Sequence, residues 1–130
     1  MGTPLDVLRG VELGCDTFDC VMPTRNARNG SVFTYQGKVS VKAGAYKDDT
    51  EPIDPDCNCF TCRNFSKGYI RHLFKTGELL APRLATIHSI HFYLDFMKRL
   101  RTSLDEDRFT DFARDFRNNF SEETLTPVTD

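Results

Sequence analysis

An α/β fold is predicted by three features of this sequence. A capped helix runs straight into a short apolar strand, an alternating hairpin follows, and three helical segments fill the second half. Thr3 can cap the first helix, Pro4 suits its first position, Asp6 stands where the acid of a capping box belongs, and Gly14 can close its far end. Leu5, Leu8 and Val11 share one face, which predicts a helix over about residues 4 to 13. "CDTFDCVM" then sets Phe18, Cys20 and Met22 on one side of a short strand, interrupted by Asp19 and stopped by Pro23. A helix followed by a buried strand is half of an α/β repeat. "PTRNARNG" reads as a polar loop. "SVFTY" and "KVSVK" alternate with period two around "QG", a hairpin in which Gly37 takes the positive φ of a tight turn. The proline-and-acid segment "KDDTEPIDPD" is a loop.

In the second half, "NFSKGYIRHLFKTG" predicts a helix with Phe65, Tyr69 and Leu73 on one face and Gly77 as its stop. "ATIHSIHFYLDFMKRLRTSL" spaces Ile87, Ile90, Leu94, Met97 and Leu100 three or four apart, an amphipathic helix that Thr86 can cap. "DRFTDFARDFRNNF" aligns Phe109, Phe112, Phe116 and Phe120, a stripe that reads as packing surface, with a partner-binding face as the alternative. From Ser121 onward no periodicity is visible.

Composition excludes several classes. The 130 residues suit a single domain, and 39% hydrophobic with 28% charged residues is ordinary for a globular protein. No apolar run approaches the ~20 residues of a membrane span, and "MGTPLDVLRG" lacks the apolar centre of a secretory signal. The expectation is a cytoplasmic chain without a membrane partner. A net charge of −2 carries no global nucleic-acid signature, so any such contact must be local.

Five cysteines, an odd number, leave a disulfide framework incomplete, and three of them crowd into "DCNCFTC". Clustered cysteines in a reducing compartment point first to metal binding or catalysis. Thiolates repel one another, so Cys57, Cys59 and Cys62 converge only if a cation draws them together. Zinc does this in a tetrahedron that accepts His as a fourth ligand. Cys15, Cys20, His72, His88 and His91 are the candidates. The pattern favours His88, near the start of the long helix, and leaves His91 as a close rival. A closed Cys3His site has no open position for water, so its role is structural. Three buried, unliganded cysteines are the plain alternative.

"FDCVMPTRNARNG" joins Asp19, at the end of an apolar strand, to Arg25 and Arg28. Arginine suits bidentate recognition of phosphate and guanine edges, and Asn26 and Asn29 add donors and acceptors. Taken alone, such a segment reads first as a solvated turn. A lone Asp in an apolar strand is costly unless paired or functional, so Asp19 stays open between those readings.

Two longer stretches, "GVELGCDTFDCVMPTRNARNG" and "YKDDTEPIDPDCNCFTCRNFSKGYIRHLFKTGELLAPRLATIHSIHFYLDFMKRLR", resemble the C-terminal part of the bacterial-type tRNA-guanine transglycosylase family, also called queuine tRNA-ribosyltransferase. The likeness covers about residues 1 to 104 and continues weakly through the Phe-rich helix. It implies the C-terminal part of a (β/α)8 barrel with an inserted zinc-binding subdomain. The family exchanges guanine at the wobble position of GUN-anticodon tRNAs for a 7-deazaguanine, 7-aminomethyl-7-deazaguanine in bacteria, in queuosine biosynthesis. By the resemblance, Asp19 is the nucleophile that holds the tRNA as a covalent glycosyl-enzyme. Thr24, Arg25, Asn26, Ala27 and Arg28 match the segment that reads the wobble base and its neighbours, and Gly2, Thr3 and Pro4 match the end of another tRNA-contacting segment. Cys57, Cys59, Cys62 and His88 match the ligands of one structural Zn2+.

The same resemblance divides the chain into a last helix–strand portion of the barrel (1–22), a tRNA-reading loop with hairpin and zinc-binding subdomain (23–85), C-terminal helices (86–120) and a tail (121–130). It implies a homodimer in the full-length enzyme. It also implies that this chain alone is an inactive fragment, because segments forming the base pocket and a second catalytic carboxylate have no counterpart in it. Cys15 where Val is usual, "AGAYKDD" for "NARHKDD", and Pro82 where Gly is common are departures outside the ligand and nucleophile positions. A non-catalytic, zinc-stabilised tRNA-binding or dimerisation module is the alternative function.

Overall fold

The structure, a computed structural model, describes residues 3–15 and 22–125 of the chain. Helix α1 spans Pro4–Glu12 with Thr3 as its cap: Thr3 Oγ1 accepts from the Asp6 amide at 3.1 Å, and Asp6 Oδ2 accepts from the Thr3 amide at 3.3 Å. Its deeply buried residues are Pro4, Val7 and Leu8, with Leu5 and Val11 partly covered, so the buried face is rotated slightly from the expected one.

The expected loop at "PTRNARNG" is instead helix α2, Met22–Arg28. Pro23 does not act as the expected stop, because in the first turn of a helix proline's missing N–H costs nothing and its fixed φ is already helical. Gly30, at φ +85°, then turns the chain out of α2, a conformation that L side chains resist. The strand expected before α2 lies mostly outside the described residues, and its last member, Met22, opens the helix.

Strands β1 (Ser31–Thr34) and β2 (Gly37–Ser40) pair antiparallel, with Thr34 opposite Gly37 and Tyr35 and Gln36 between. The hairpin is therefore as expected, with its turn one residue earlier. Against expectation, the segment after Ser121 forms a third strand, β3 (Ser121–Leu125), parallel to β2, giving the order β1-β2-β3. Main-chain pairing to an open edge needs no side-chain periodicity, which is why the sequence concealed it.

After a single 3-10 turn at Gly44–Tyr46 come α3 (Phe60–Asn64), α4 (Lys67–Lys75), α5 (Leu80–Asp105) and α6 (Phe109–Asn119). Helix α5 begins six residues before the expected Thr86 cap and runs through Pro82, which again sits in a first turn where its amide has no helical partner. In α4 the buried residues are Ile70 and Leu73, while Tyr69 is exposed and stacks on Phe65 with centroids 5.5 Å apart.

Two apolar cores share α5. One gathers Ala27, Val32, Val39, Ile70, Leu84 and Ala85; the other gathers Leu8, Phe33, Phe92, Phe96, Phe116 and Phe120. Strand β1 feeds both, Val32 into the first and Phe33 into the second, so both of its faces are covered. The Phe stripe of α6 is packing surface, as expected. On α5 the expected stripe divides: Leu100 is buried and Met97 partly covered, joining Leu84, His88, Phe92 and Phe96 inward, while Ile87, Ile90 and Leu94 are 40%, 42% and 67% exposed. The helix carries two apolar stripes, and the N-terminal three members of the one that stood out in the sequence are uncovered.

Candidate metal centre

Local structure brings the three cysteines to one point. The buried Asp54 carboxylate accepts from the Asp56 amide at 2.9 Å, and the Cys57 amide donates to the Asp54 carbonyl at 3.0 Å, so "DPDC" turns tightly and presents Cys57. Cys59 caps α3: its Sγ accepts from the Cys62 amide at 3.3 Å, while Cys57 Sγ accepts from the Cys59 amide at 3.5 Å. Thr61, fully buried between Cys59 and Cys62, donates its hydroxyl to the Leu84 carbonyl at 2.7 Å. That bond fixes α3 against α5 one turn before His88.

His88 completes the group. Its Nδ1 lies 3.7, 3.6 and 3.3 Å from the sulfurs of Cys57, Cys59 and Cys62, and its Nε2 donates to the Phe33 carbonyl at 2.9 Å. The four donor atoms all lie within 4.8 Å of one another. A tetrahedral Zn2+ with Zn–S of about 2.3 Å and Zn–N of about 2.0 Å requires S···N edges of about 3.6 Å, which the three observed S···N distances match. The Phe33 bond leaves Nδ1 free as a lone-pair donor, the arrangement that metal-binding histidines adopt. Zn2+ held here would crosslink the 57–62 loop to α5. Among the described residues this is the one such cluster of His, Cys, Asp and Glu.

Proton affinities tell the same story. The Cys57 and Cys62 side chains hold the Cys59 thiol far below the usual thiol range, while Cys57 and Cys59 push Cys62 far above it. Burial lowers the pKa of His88, yet the Cys57 and Cys59 sulfurs outweigh it and push it up to about 9. A divalent ion bound by these four atoms would have to displace the protons they carry in its absence.

The other expected site residues are placed differently. Arg25 and Arg28 are exposed on α2, Thr24 and Asn26 are half-buried, and Ala27 is fully buried in the first core. Thr3 caps α1 and Pro4 is buried in it. Asp19 and Gly2 lie outside the described residues.

Comparison with known proteins decides the family. The sequence profile described as queuine tRNA-ribosyltransferase matches residues 1–122. The chain belongs to the queuine tRNA-ribosyltransferase family. It is 52% identical over 120 residues to the queuine tRNA-ribosyltransferase of Francisella tularensis subsp. novicida (strain U112), covering 92% of this chain and 33% of that protein. The protein of the same name from Herminiimonas arsenicoxydans is 53% identical over 116 residues, 89% of this chain and 31% of its own length. A third, from Francisella tularensis subsp. tularensis (strain WY96-3418), is 53% identical over 116 residues, 89% of this chain and 32% of its own length. The chain thus spans about a third of the queuine tRNA-ribosyltransferases it matches. No described helix is long and apolar enough to cross a membrane.

Sequence reasoning missed the groups around His88. Phe33 acts through a backbone carbonyl, which has no sequence signature. Tyr35 bonds Asp95 across sixty positions. The i,i+4 spacing of Asp95 and Arg99 was the only available signal.

Proposed function

We propose that this chain is the portion of a tRNA-guanine transglycosylase that carries the nucleophile, a wobble-base-reading helix and a structural zinc centre. The observation that carries the reading is the Cys57, Cys59, Cys62 and His88 group, in a chain whose relatives are named queuine tRNA-ribosyltransferase. The substrates are a GUN-anticodon tRNA and a 7-deazaguanine base, and the setting is the C-terminal part of a (β/α)8 barrel in a cytoplasmic homodimer. Exposed Phe60 and Tyr69, beside the zinc group in sequence, offer apolar surface for the second subunit.

In the reaction, an Asp19 carboxylate oxygen bonds to ribose C1′ as the glycosidic bond to guanine breaks, and guanine leaves with a proton from an acid. The incoming base then attacks C1′, gives up its own proton, and releases the carboxylate. Nothing is oxidised or reduced. Splitting the displacement in two is what a carboxylate nucleophile contributes, as in retaining glycosidases. Arg25 and Arg28, exposed on α2, supply charge-assisted bonds to the anticodon. The 130-residue chain alone is inactive in this reading, because the acid and the base pocket come from the rest of the polypeptide.

The test uses the full-length polypeptide. Asp19→Asn is nearly isosteric but a poor nucleophile, so covalent tRNA trapping and base exchange are expected to vanish while tRNA binding persists. Arg25→Ala and Arg28→Ala are expected to weaken tRNA binding instead. A covalent adduct surviving in Asp19→Asn would assign the nucleophile elsewhere.

A further inference from the structure

Strand β1 and the turn residue Tyr35 that follows it lie along one face of α5 and are held there at three levels. At the first, His88 Nε2 bonds the Phe33 carbonyl at 2.9 Å. At the second, Phe33 and Tyr35 both pack on Phe92, with ring centroids 6.3 and 4.9 Å away. At the third, the Tyr35 hydroxyl donates to Asp95 Oδ2 at 2.5 Å, Arg99 Nε donates to the same oxygen at 2.8 Å, and the Arg99 guanidinium sits 4.6 Å over the Tyr35 ring. His88, Phe92, Asp95 and Arg99 recur at three- and four-residue steps, so they form a continuous row on the helix.

Two further observations set this row beside the metal centre. A cavity of about 160 Å³ is walled by Cys57 together with Tyr35, Asp95 and Arg99, so the cluster and the least buried sulfur face one space. The Phe33 carbonyl, which the row holds against α5, is the acceptor that decides which ring nitrogen of His88 carries the proton.

We infer that Tyr35, Asp95 and Arg99 are positioning residues for the metal centre: they clamp β1 to α5 so that the Phe33 carbonyl stays under His88 Nε2–H and Nδ1 stays aimed at the three sulfurs. This rests on reading Cys57, Cys59, Cys62 and His88 as metal ligands. The physical need is plain. A carbonyl at a strand end can swing away from an imidazole by small backbone rotations, and His88 then loses both its tautomer preference and its aim. Groups that orient a ligating histidine typically change metal affinity by roughly 10- to 100-fold. Tyr35 and Asp95 act one bond further out, which places the expected effect at the lower end.

The experiment measures zinc affinity of the 130-residue chain by competition with a chromophoric chelator, in the parent, Tyr35→Phe and Asp95→Asn. Tyr35→Phe keeps the ring contacts with Phe92 and removes only the hydroxyl. Leu8→Ala, a truncation on α1 in the core that Phe33 shares, leaves Tyr35, Asp95 and Arg99 in place and serves as the comparison for general destabilisation. Expected are zinc binding about ten-fold weaker in Tyr35→Phe and Asp95→Asn, with faster solvent exchange of the His88 Nε2 proton by NMR in the zinc-loaded form. Leu8→Ala should leave that exchange unchanged. Unaltered affinity in Tyr35→Phe and Asp95→Asn, or an equal loss in Leu8→Ala, overturns the positioning role while the metal reading stands. A parent chain that binds no zinc overturns both.

Discussion

His88 shows how one side chain can serve several purposes. It is fully buried, its Nδ1 faces three sulfurs, and its Nε2 secures the hairpin. His91, one turn along the same helix, is only half-buried and lies outside the four-residue group. His88→Ala is therefore expected to lose bound zinc and to melt the region around residues 57–90, whereas His91→Ala keeps its zinc; elemental analysis with hydrogen exchange checks both. Structural zinc sites contribute an apparent ~10–16 kcal/mol against net stabilities of about 5–15, so loss of the ion outweighs what the local apolar contacts can hold.

Tyr35 yields a pH prediction at the same scale. Burial, and then its bond to Asp95, push the hydroxyl well above the usual phenol range. The native state holds that proton more tightly than the unfolded chain, so the stabilisation is full below about pH 10 and is lost as pH rises further. Tyr35→Phe should flatten this alkaline decline in urea midpoints, and an unchanged decline would refute the assignment.

Among the elements, α4 depends most on a close approach. The Lys67 amide donates to the Glu51 carbonyl at 2.8 Å and the Gly68 amide to the Asp49 carbonyl at 3.0 Å, with Lys67 Nζ paired to Asp49 at 3.1 Å. A Cβ on Gly68 would stand 2.8 Å from the Asp49 carbonyl oxygen and 3.0 Å from that of Lys47, both backbone atoms that cannot step aside. Gly68→Ala is expected to cost about 1–3 kcal/mol despite alanine's better helix propensity, read as a lowered thermal midpoint. A stabilised Gly68→Ala variant would show that the loop yields.

For the whole molecule, the uncovered stripe of Ile87, Ile90 and Leu94 on α5 matters most. With Leu13 71% and Leu104 49% exposed as well, the 130-residue chain presents apolar area that proteins ordinarily cover. The purified chain is expected to self-associate. Ile90→Glu combined with Leu94→Glu should shift it toward monomer in sedimentation, with each surface change costing within about 0.5 kcal/mol of stability. A strong drop in thermal midpoint in that double variant would mean the stripe is buried within one chain.

Local chemistry determined what the sequence could reveal alone. The Thr3–Asp6 capping box, the hairpin around "QG", the Phe-rich packing of α6 and the three cysteines are each written within a few adjacent residues. His88 as the fourth partner was favoured by pattern only narrowly, and through the family likeness more firmly. The tertiary structure decided everything that required distant segments to meet. It turned "MPTRNAR" into a helix by seating Ala27 against the first core, paired β3 with β2 through main-chain groups, and chose which of two apolar stripes on α5 faces inward. It also brought the Phe33 carbonyl to His88 and Tyr35 to Asp95. Periodicity reports that a face is apolar, but only the neighbours packed against it determine whether it is covered, because burial is a property of pairs of surfaces and not of one helix.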